Sequence, residues 1–399
     1  MKVYLIDLSG KFMVNDRIHP PLGLMYLNEW AGKNGIDCQI VDDSEVPMDG
    51  DFYGISATTP QYPEAVSCMR FIHSNTMAKV IIGGVHASAL PEECAYEGFD
   101  FIVSGEGERA FLQILGKNVE IKSMDDLPHP KIESLNGRYS MKMTYVFDGK
   151  IEERSAGWIM TARGCPGNCY FCASNLMWEG RLRIHSVDYV QDWLNYYLER
   201  GINDFHIADE NFTVGKNRLF KLCKILSGRG YWRCNSRGDT MTEEKAKVMY
   251  ESGCRQVTLG VETGSQKLID SLNKKEAVAD NENAIKILKD SGIGVKASFM
   301  VGLPNEADSD VMETAEFIER TRPDEVTVAI FVPYPGCHFY GKSERDWKDY
   351  ISVGKEKFTP VFYGNREDVY RRKKELLEIA GDSYILDMHK ERWDSWNLQ

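Results

Sequence analysis

Short apolar runs alternate with amphipathic stretches along the first ~115 residues, the pattern of strands and helices taking turns. Strands are predicted at 3–8, 38–41, 54–56, 80–82 and 101–103, and helices at 22–34, 63–74 and 91–96. Short apolar strands between helices imply a parallel sheet covered on both faces, a doubly wound Rossmann-like domain over 1–115. Residues 116–156 read as a connector, with two prolines in Leu127-Pro128-His129-Pro130 and a hairpin at 145–150 turning on Asp148-Gly149. A second series follows, with strands at 158–161, 204–207, 231–235, 256–261, 294–300 and 325–331. Its helices are predicted at 187–200, 217–227, 243–252, 281–291 and 308–320. Six units are fewer than the eight of a closed barrel, so 157–340 is expected to form a partial (β/α)6 TIM-like barrel. A short mixed segment, 341–399, with a helix at 366–380, completes an α/β protein and is expected to complete the substrate pocket.

Composition narrows the function classes. The 399 residues are 43% hydrophobic and 27% charged, as in a globular protein. The formal charge of −12 argues against general nucleic-acid binding. The run Arg371-Arg372-Lys373-Lys374 reads as a solvated helix face. No apolar run approaches the ~20 residues of a membrane span. Met1–Asp7 turns acidic too soon for a signal peptide. The expectation is a cytoplasmic protein with no membrane contact.

Seven of the ten cysteines are scattered singly, while three stand in Arg163-Gly164-Cys165-Pro166-Gly167-Asn168-Cys169-Tyr170-Phe171-Cys172. Thiolates at this density select iron–sulfur clusters, zinc or copper(I). A closed zinc site would need a fourth ligand, and the next histidine, His185, stands thirteen residues beyond Cys172. Three ligands suggest a [4Fe–4S] cluster with one iron open.

Cys-x3-Cys-x2-Cys with an aromatic before the last cysteine, at the end of the first strand of a six-unit series, resembles the radical S-adenosylmethionine (SAM) superfamily. The resemblance covers roughly 157–340. It implies that Cys165, Cys169 and Cys172 hold the cluster, that SAM chelates the open iron, and that reductive cleavage yields a 5′-deoxyadenosyl radical. The strand-end runs Asp209-Glu210-Asn211-Phe212, Asn235-Ser236-Arg237, Gly260-Val261-Glu262, Gly302-Leu303-Pro304 and Pro333-Tyr334-Pro335-Gly336 are similar to those of the same enzymes. By that likeness Asp209 or Glu210 receives the SAM ammonium, Arg237 its carboxylate and Glu262 its ribose, with Phe171 beside it.

The first domain resembles the cobalamin-binding domain fused ahead of many radical enzymes. Ser56, Thr58, Thr59, Gly83, Gly84, His86, Gly105 and Glu106 stand at or after predicted strand ends, where glycines admit a nucleotide tail and hydroxyls bind it. Asp-x-His-x-x-Gly, which gives cobalt a histidine, is absent: Leu8, Ser9, Gly10 and Lys11 follow Asp7. His86 and His19 read equally as phosphate or corrinamide contacts and as ordinary loop histidines. Trp178, Tyr334, His338 and Tyr340 read as pocket lining or as core packing.

Together these features imply a cobalamin-dependent radical enzyme methylating an unactivated carbon of a small molecule, served by an external electron donor such as flavodoxin or ferredoxin. The alternatives are a cobalamin-containing rearrangement or ring contraction, a radical enzyme without corrinoid, and a non-enzymatic iron–sulfur carrier or sensor.

Overall fold

The computed structural model describes residues 1–9, 17, 19–342 and 362–381. Gly10, Lys11 and most of the segment expected at 341–399 lie outside the described residues.

Five parallel strands form the first sheet: β1 (Lys2–Asp7), β2 (Asp37–Asp42), β3 (Phe52–Ser56), β4 (Lys79–Gly83) and β5 (Phe101–Ile102), in the order β2-β1-β3-β4-β5. Successive residues of β1 point to opposite faces. Val3 and Leu5 join the core formed by α1 (Leu22–Lys33). Tyr4 and Ile6 pack on the other face with α2 (Tyr62–Asn75), α3 (Val85–Ala89) and α4 (Pro91–Glu97). The strand order reverses between β1 and β3, and in open α/β sheets that reversal opens a crevice at the carboxyl ends. Asp7, Ser56 and Gly83 end their strands at that edge. α5 (Gly107–Ile114) closes the domain on the α1 side.

The second sheet has seven strands. An antiparallel hairpin, β6 (Lys142–Phe147) and β7 (Lys150–Ile159), turns on Asp148 and Gly149, whose φ values of 51° and 66° suit a type I′ turn. β7 runs continuously from the expected connector into the first barrel strand. Next to β8 (Ala162–Arg163) pairs β9 (Arg183–Ile184) in a separate antiparallel clasp. After it come α6 (Ser174–Trp178), lying within the clasped loop, and α7 (Val187–Leu198). Then β10 (Asp204–Ile207), β11 (Trp232–Ser236), β12 (Cys254–Glu262), β13 (Gly294–Val301) and β14 (Glu325–Ile330) pair in parallel in turn from β7. Their helices are α8 (Lys216–Leu226), α9 (Glu243–Glu251), α10 (Gln266–Ser271), α11 (Val278–Asp290) and α12 (Asp308–Thr321), and α13 (Arg366–Ala380) packs against α12 and β14. Six parallel strands thus form the partial barrel. Val257, Leu259, Val295, Ala297, Val326 and Val328 are buried on one face of the strands. The alternate residues Arg233, Asn235, Thr258, Lys296, Ser298 and Thr327 face the interior and stay half-exposed.

The two sheets share one apolar core, since Tyr26 of α1 meets Trp193 of α7 edge to face at 5.9 Å. The hairpin floors the barrel: a Cβ on Gly294, at the start of β13, would lie 2.0 Å from the carbonyl oxygen of Val146. Gly294→Ala is expected to push the hairpin outward and cost about 1–3 kcal/mol, the usual penalty of overpacking. A urea unfolding midpoint unchanged from the parent would contradict this packing.

Candidate active site

The cysteine loop is set by its glycines and by the clasp. β8 and β9 bracket residues 164–182. Gly164 has φ +90°, and a Cβ there would lie 2.0 Å from the carbonyl oxygen of Arg181, so only glycine closes the clasp. At Gly167 an added Cβ would sit 3.4 Å from Cys165 Sγ, 3.8 Å from Cys169 Sγ and 3.5 Å from Arg237 Nη1. Two thiols and a guanidinium therefore converge on one bare stretch of backbone. Cys165 Sγ accepts from the Gly167 N–H and Cys172 Sγ from the Ser174 N–H, each at 3.4 Å. Arg237 Nη1 donates to Cys169 Sγ at 3.5 Å. Among the described residues no group of three or more His, Cys, Asp or Glu side chains is gathered as a metal site. The three thiols are thus not drawn around one small ion, and a multi-iron cluster with one thiolate per iron does not require that. All three are half-buried, with neighbouring cations to offset thiolate charge, a donor set that fits an iron–sulfur cluster.

The carboxylates beneath the loop depart from expectation. Asp209, expected to receive an ammonium, is 1% exposed. It accepts from the Thr161 N–H and Oγ1 at 2.6 Å, the Ala162 N–H at 3.0 Å and Arg218 at 2.8 Å. With its oxygens so engaged it is a clamp for β8. Glu210 lies closer to the loop, accepting from Trp178 Nε1 at 2.6 Å and the Gly164 N–H at 3.1 Å, and burial raises its pKa. Arg237 forks onto Asp239 at 2.9 Å and also meets Glu276 at 3.3 Å. Glu262 sits at a β-bulge with φ +69°; burial raises its pKa, and Lys274 Nζ lies 3.4 Å away. Lys274, 3% exposed and bonded to Glu276 at 2.6 Å, is a site residue that sequence reasoning missed. A lysine in a loop after α10 reads as solvated, and nothing local marks it otherwise. Phe171 packs against the apolar cluster of Leu268, Leu272, Leu303 and Phe331. Tyr170 stacks on His338 at 4.1 Å, so that histidine anchors the loop.

A cavity of about 250 Å³ opens between the carboxyl edge of the first sheet and the cysteine loop. Ser56, Gly83, Gly84, Gly105 and Glu106 line it from one side, and Met160, Arg163, Met177 and Trp178 from the other. Apart from Glu108 its walls are otherwise apolar, with Leu5, Ile55 and Val103 among them, and glycines leave backbone bare at the edge. That surface fits a flat heteroaromatic group such as the nucleotide base of cobalamin. Three residues expected there are absent from the lining. Thr58 bonds Gln61 Oε1 at 2.9 Å in the turn before α2. Thr59 meets His86 Nδ1 at 3.3 Å, and His86 stacks on Tyr62 at 3.8 Å. Entry into α3 immediately after Gly84 turns the His86 ring into the core, where burial lowers its pKa to about 4. His19 packs edge-on to Trp158 at 4.7 Å and belongs to the barrel interior.

Arg163, also missed by the sequence, joins the two halves. It is 3% exposed and pairs with Glu106 at 2.9 Å and Glu108 at 2.7 Å, above the ring of Tyr26 at 4.6 Å.

Two family models match the chain: the radical SAM superfamily over residues 159–318 and the B12 binding domain over 16–115. An uncharacterized methyltransferase of Pyrococcus horikoshii is 30% identical over 379 residues, covering 84% of this chain and 82% of that protein. The chain belongs to the radical SAM superfamily. It is a cobalamin-dependent member, with the B12-binding domain ahead of the radical domain. The anaerobic magnesium-protoporphyrin IX monomethyl ester cyclase of Rubrivivax gelatinosus is 26% identical over 366 residues, covering 79% of this chain. The chain spans 65% of that cyclase's length. The same fold occurs in the radical SAM methyltransferase TsrM of Kitasatospora setae, with TM-score 0.65 and 16% identity over 85% of this chain and 74% of that one. Among the described residues no helix is long and apolar enough to cross a membrane.

Arg163→Met leaves Glu106 and Glu108 without their shared cation, and a loss of about 3–5 kcal/mol is expected from breaking a buried pair. Chemical denaturation reads it, and a loss below 1 kcal/mol would contradict a structural role for this junction. His86 contributes a pH dependence. Its folded pKa of about 4 lies below the ordinary 6.5, so the unfolded chain takes up the proton first. The stability is present above pH 6.5 and is lost as the pH falls toward 4. Between pH 7 and 5 the parent should lose about 2 kcal/mol more than His86→Phe. Parallel denaturation curves at both pH values would refute this.

Proposed function

We propose that this chain transfers a methyl group to an unactivated carbon of a small-molecule substrate, as a cytoplasmic enzyme reduced by a flavodoxin- or ferredoxin-type donor. The observation that carries the reading is the shared wall: Arg163 and Trp178 line the cavity at the B12-binding edge and also hold the cysteine loop. A methyl donor bound in one domain and a radical generated in the other would thus be neighbours.

Cys165, Cys169 and Cys172 would hold the cluster. Bound together, cluster, SAM and cobalamin supply a carbon radical for hydrogen abstraction and a methyl donor. The protein's own groups position and shield. Gly164 and Gly167 let the loop wrap closely, while Glu210, through Trp178 Nε1 and the Gly164 N–H, fixes its start. Arg237 presents cationic charge to Cys169 and stands where a SAM carboxylate could be paired. Glu262, its pKa raised by burial and Lys274 beside it, suits hydroxyls of a ribose. Ser56, Gly83, Gly84, Gly105 and Glu106 would border the corrinoid. The Rubrivivax relative, a cyclase by name, supports the second reading, radical chemistry on carbon without methyl transfer.

Anaerobically reconstituted protein should hold about four irons and one cobalamin, and with reductant and SAM should release both 5′-deoxyadenosine and S-adenosylhomocysteine. Cys172→Ala should abolish 5′-deoxyadenosine while hydroxocobalamin still binds. 5′-Deoxyadenosine without S-adenosylhomocysteine, in the presence of substrate and cobalamin, would favour the second reading. Neither product would overturn both.

A further inference from the structure

The barrel interior below the cysteine loop carries a cation that nothing in the proposed mechanism uses. Arg233 faces inward from β11, with Nε donating to His206 Nδ1 at 3.3 Å and Nη1 to the Thr144 carbonyl of the floor at 2.9 Å. Both bonds are to neutral groups. His206 accepts on Nδ1, and burial, followed by the charge of Arg233, holds its pKa well below the ordinary value. Among the described residues Arg233 forms no ion pair, and the carboxylate whose charge reaches it is Glu325. A partly buried guanidinium that shares its nearest carboxylate with another cation is costly, which is why such groups are normally paired one to one.

The surrounding groups do not cancel that charge. Lys296 enters from β13 and pairs with Glu325, to which Gln256 also donates at 3.0 Å. Lys296 and Arg233 thus share one carboxylate, which leaves one positive charge in excess. His19 reaches the same space beside Trp158. Desolvation, then the charges of Arg233 and Lys296, lower its pKa, so it stays neutral near pH 7. Thr258, Ser298 and Thr327 add hydroxyls on the half-exposed inner faces of β12, β13 and β14. The interior is therefore polar, net cationic at its floor and supplied with hydrogen-bond donors.

We propose that this floor binds an oxyanion, carboxylate or phosphoryl, at one end of the substrate, with Arg233 as the principal contact and Lys296 and the hydroxyls around it. This rests on the reading above, in which the substrate occupies the barrel. It adds a length constraint. Arg233 lies in β11 and Arg237 in extended backbone just past its end, four residues on, about 13 Å at strand rise. Arg237 touches Cys169, so the carbon to be attacked lies toward the cysteine loop and the anionic group several bonds away.

The test is calorimetric titration of the full chain, reconstituted with cluster and cobalamin, using butylphosphonate, pentanoate and neutral pentanamide. At least one anion should bind and pentanamide should not; the tighter anion identifies the group. Arg233→Met should weaken binding tenfold or more. Arg233→Lys, which keeps the charge but loses the planar fork, should weaken it about threefold or more. It decides the matter if Arg233→Met does not fold. No binding of either anion by the parent, equal binding of pentanamide, or unchanged affinity in Arg233→Lys would overturn the proposal. 5′-Deoxyadenosine release by the same parent preparation is measured alongside. Its presence without anion binding removes this inference alone. Its absence with Arg233-dependent anion binding removes the radical reading and leaves the oxyanion site.

Discussion

Arg163 brings a full positive charge into an interior that leaves it 3% exposed, and the arrangement of the site follows from how that charge is met. It ends β8, two residues before the first cysteine of the triplet, yet both its carboxylate partners belong to the other domain. Glu106 precedes α5 and Glu108 lies in its first turn. Glu106 also holds Arg183 across the clasp, so one carboxylate binds both strands that bracket the cysteine loop. A buried ion pair of this kind is not a large source of stability, because desolvation offsets much of the attraction. Its value is geometric: separation would strand charges, so the cysteine loop and the carboxyl edge of the first sheet stay in register.

Around that junction the two chemistries are set at different depths. The thiols sit at the mouth of the barrel, wrapped by a loop that glycine alone permits at Gly164. The B12-binding edge meets them through a largely apolar cavity, and the polar barrel interior continues below toward Arg233. The hairpin β6–β7 closes the floor, with the Thr144 carbonyl holding the guanidinium in place. A substrate spanning this interior would be anchored at one end and presented at the other. That is what selective attack on an unactivated carbon requires, since such a carbon offers no polar handle of its own.

Features whose causes are local were legible in the sequence. Strand alternation, the Asp148-Gly149 turn and the helix over Arg366–Ala380 depend on neighbours a few residues away, and the structure has them where periodicity put them. The cysteine triplet was legible for the same reason. Features set by distant partners were not. Arg163 meets Glu106 from 57 residues away, and Arg233 meets Thr144 from 89. Nothing beside Lys274 shows that it turns inward toward Glu262. Asp209 and Glu210 were visible as strand-end carboxylates, but their roles depended on the path of the loop above them. Asp209 became its clamp because the Thr161 and Ala162 N–H groups point at it. His86 was misplaced because helix α3 starts sooner after Gly84 than the loop reading assumed.

Adjacent cofactor sites would couple their metals magnetically. In protein loaded with cluster and cobalamin and reduced to cob(II)alamin and [4Fe–4S]1+, the cob(II)alamin electron spin resonance should show faster relaxation and dipolar broadening, both removed in Cys172→Ala. A cob(II)alamin signal whose relaxation is the same with and without the reduced cluster would place the metals far apart and contradict the account.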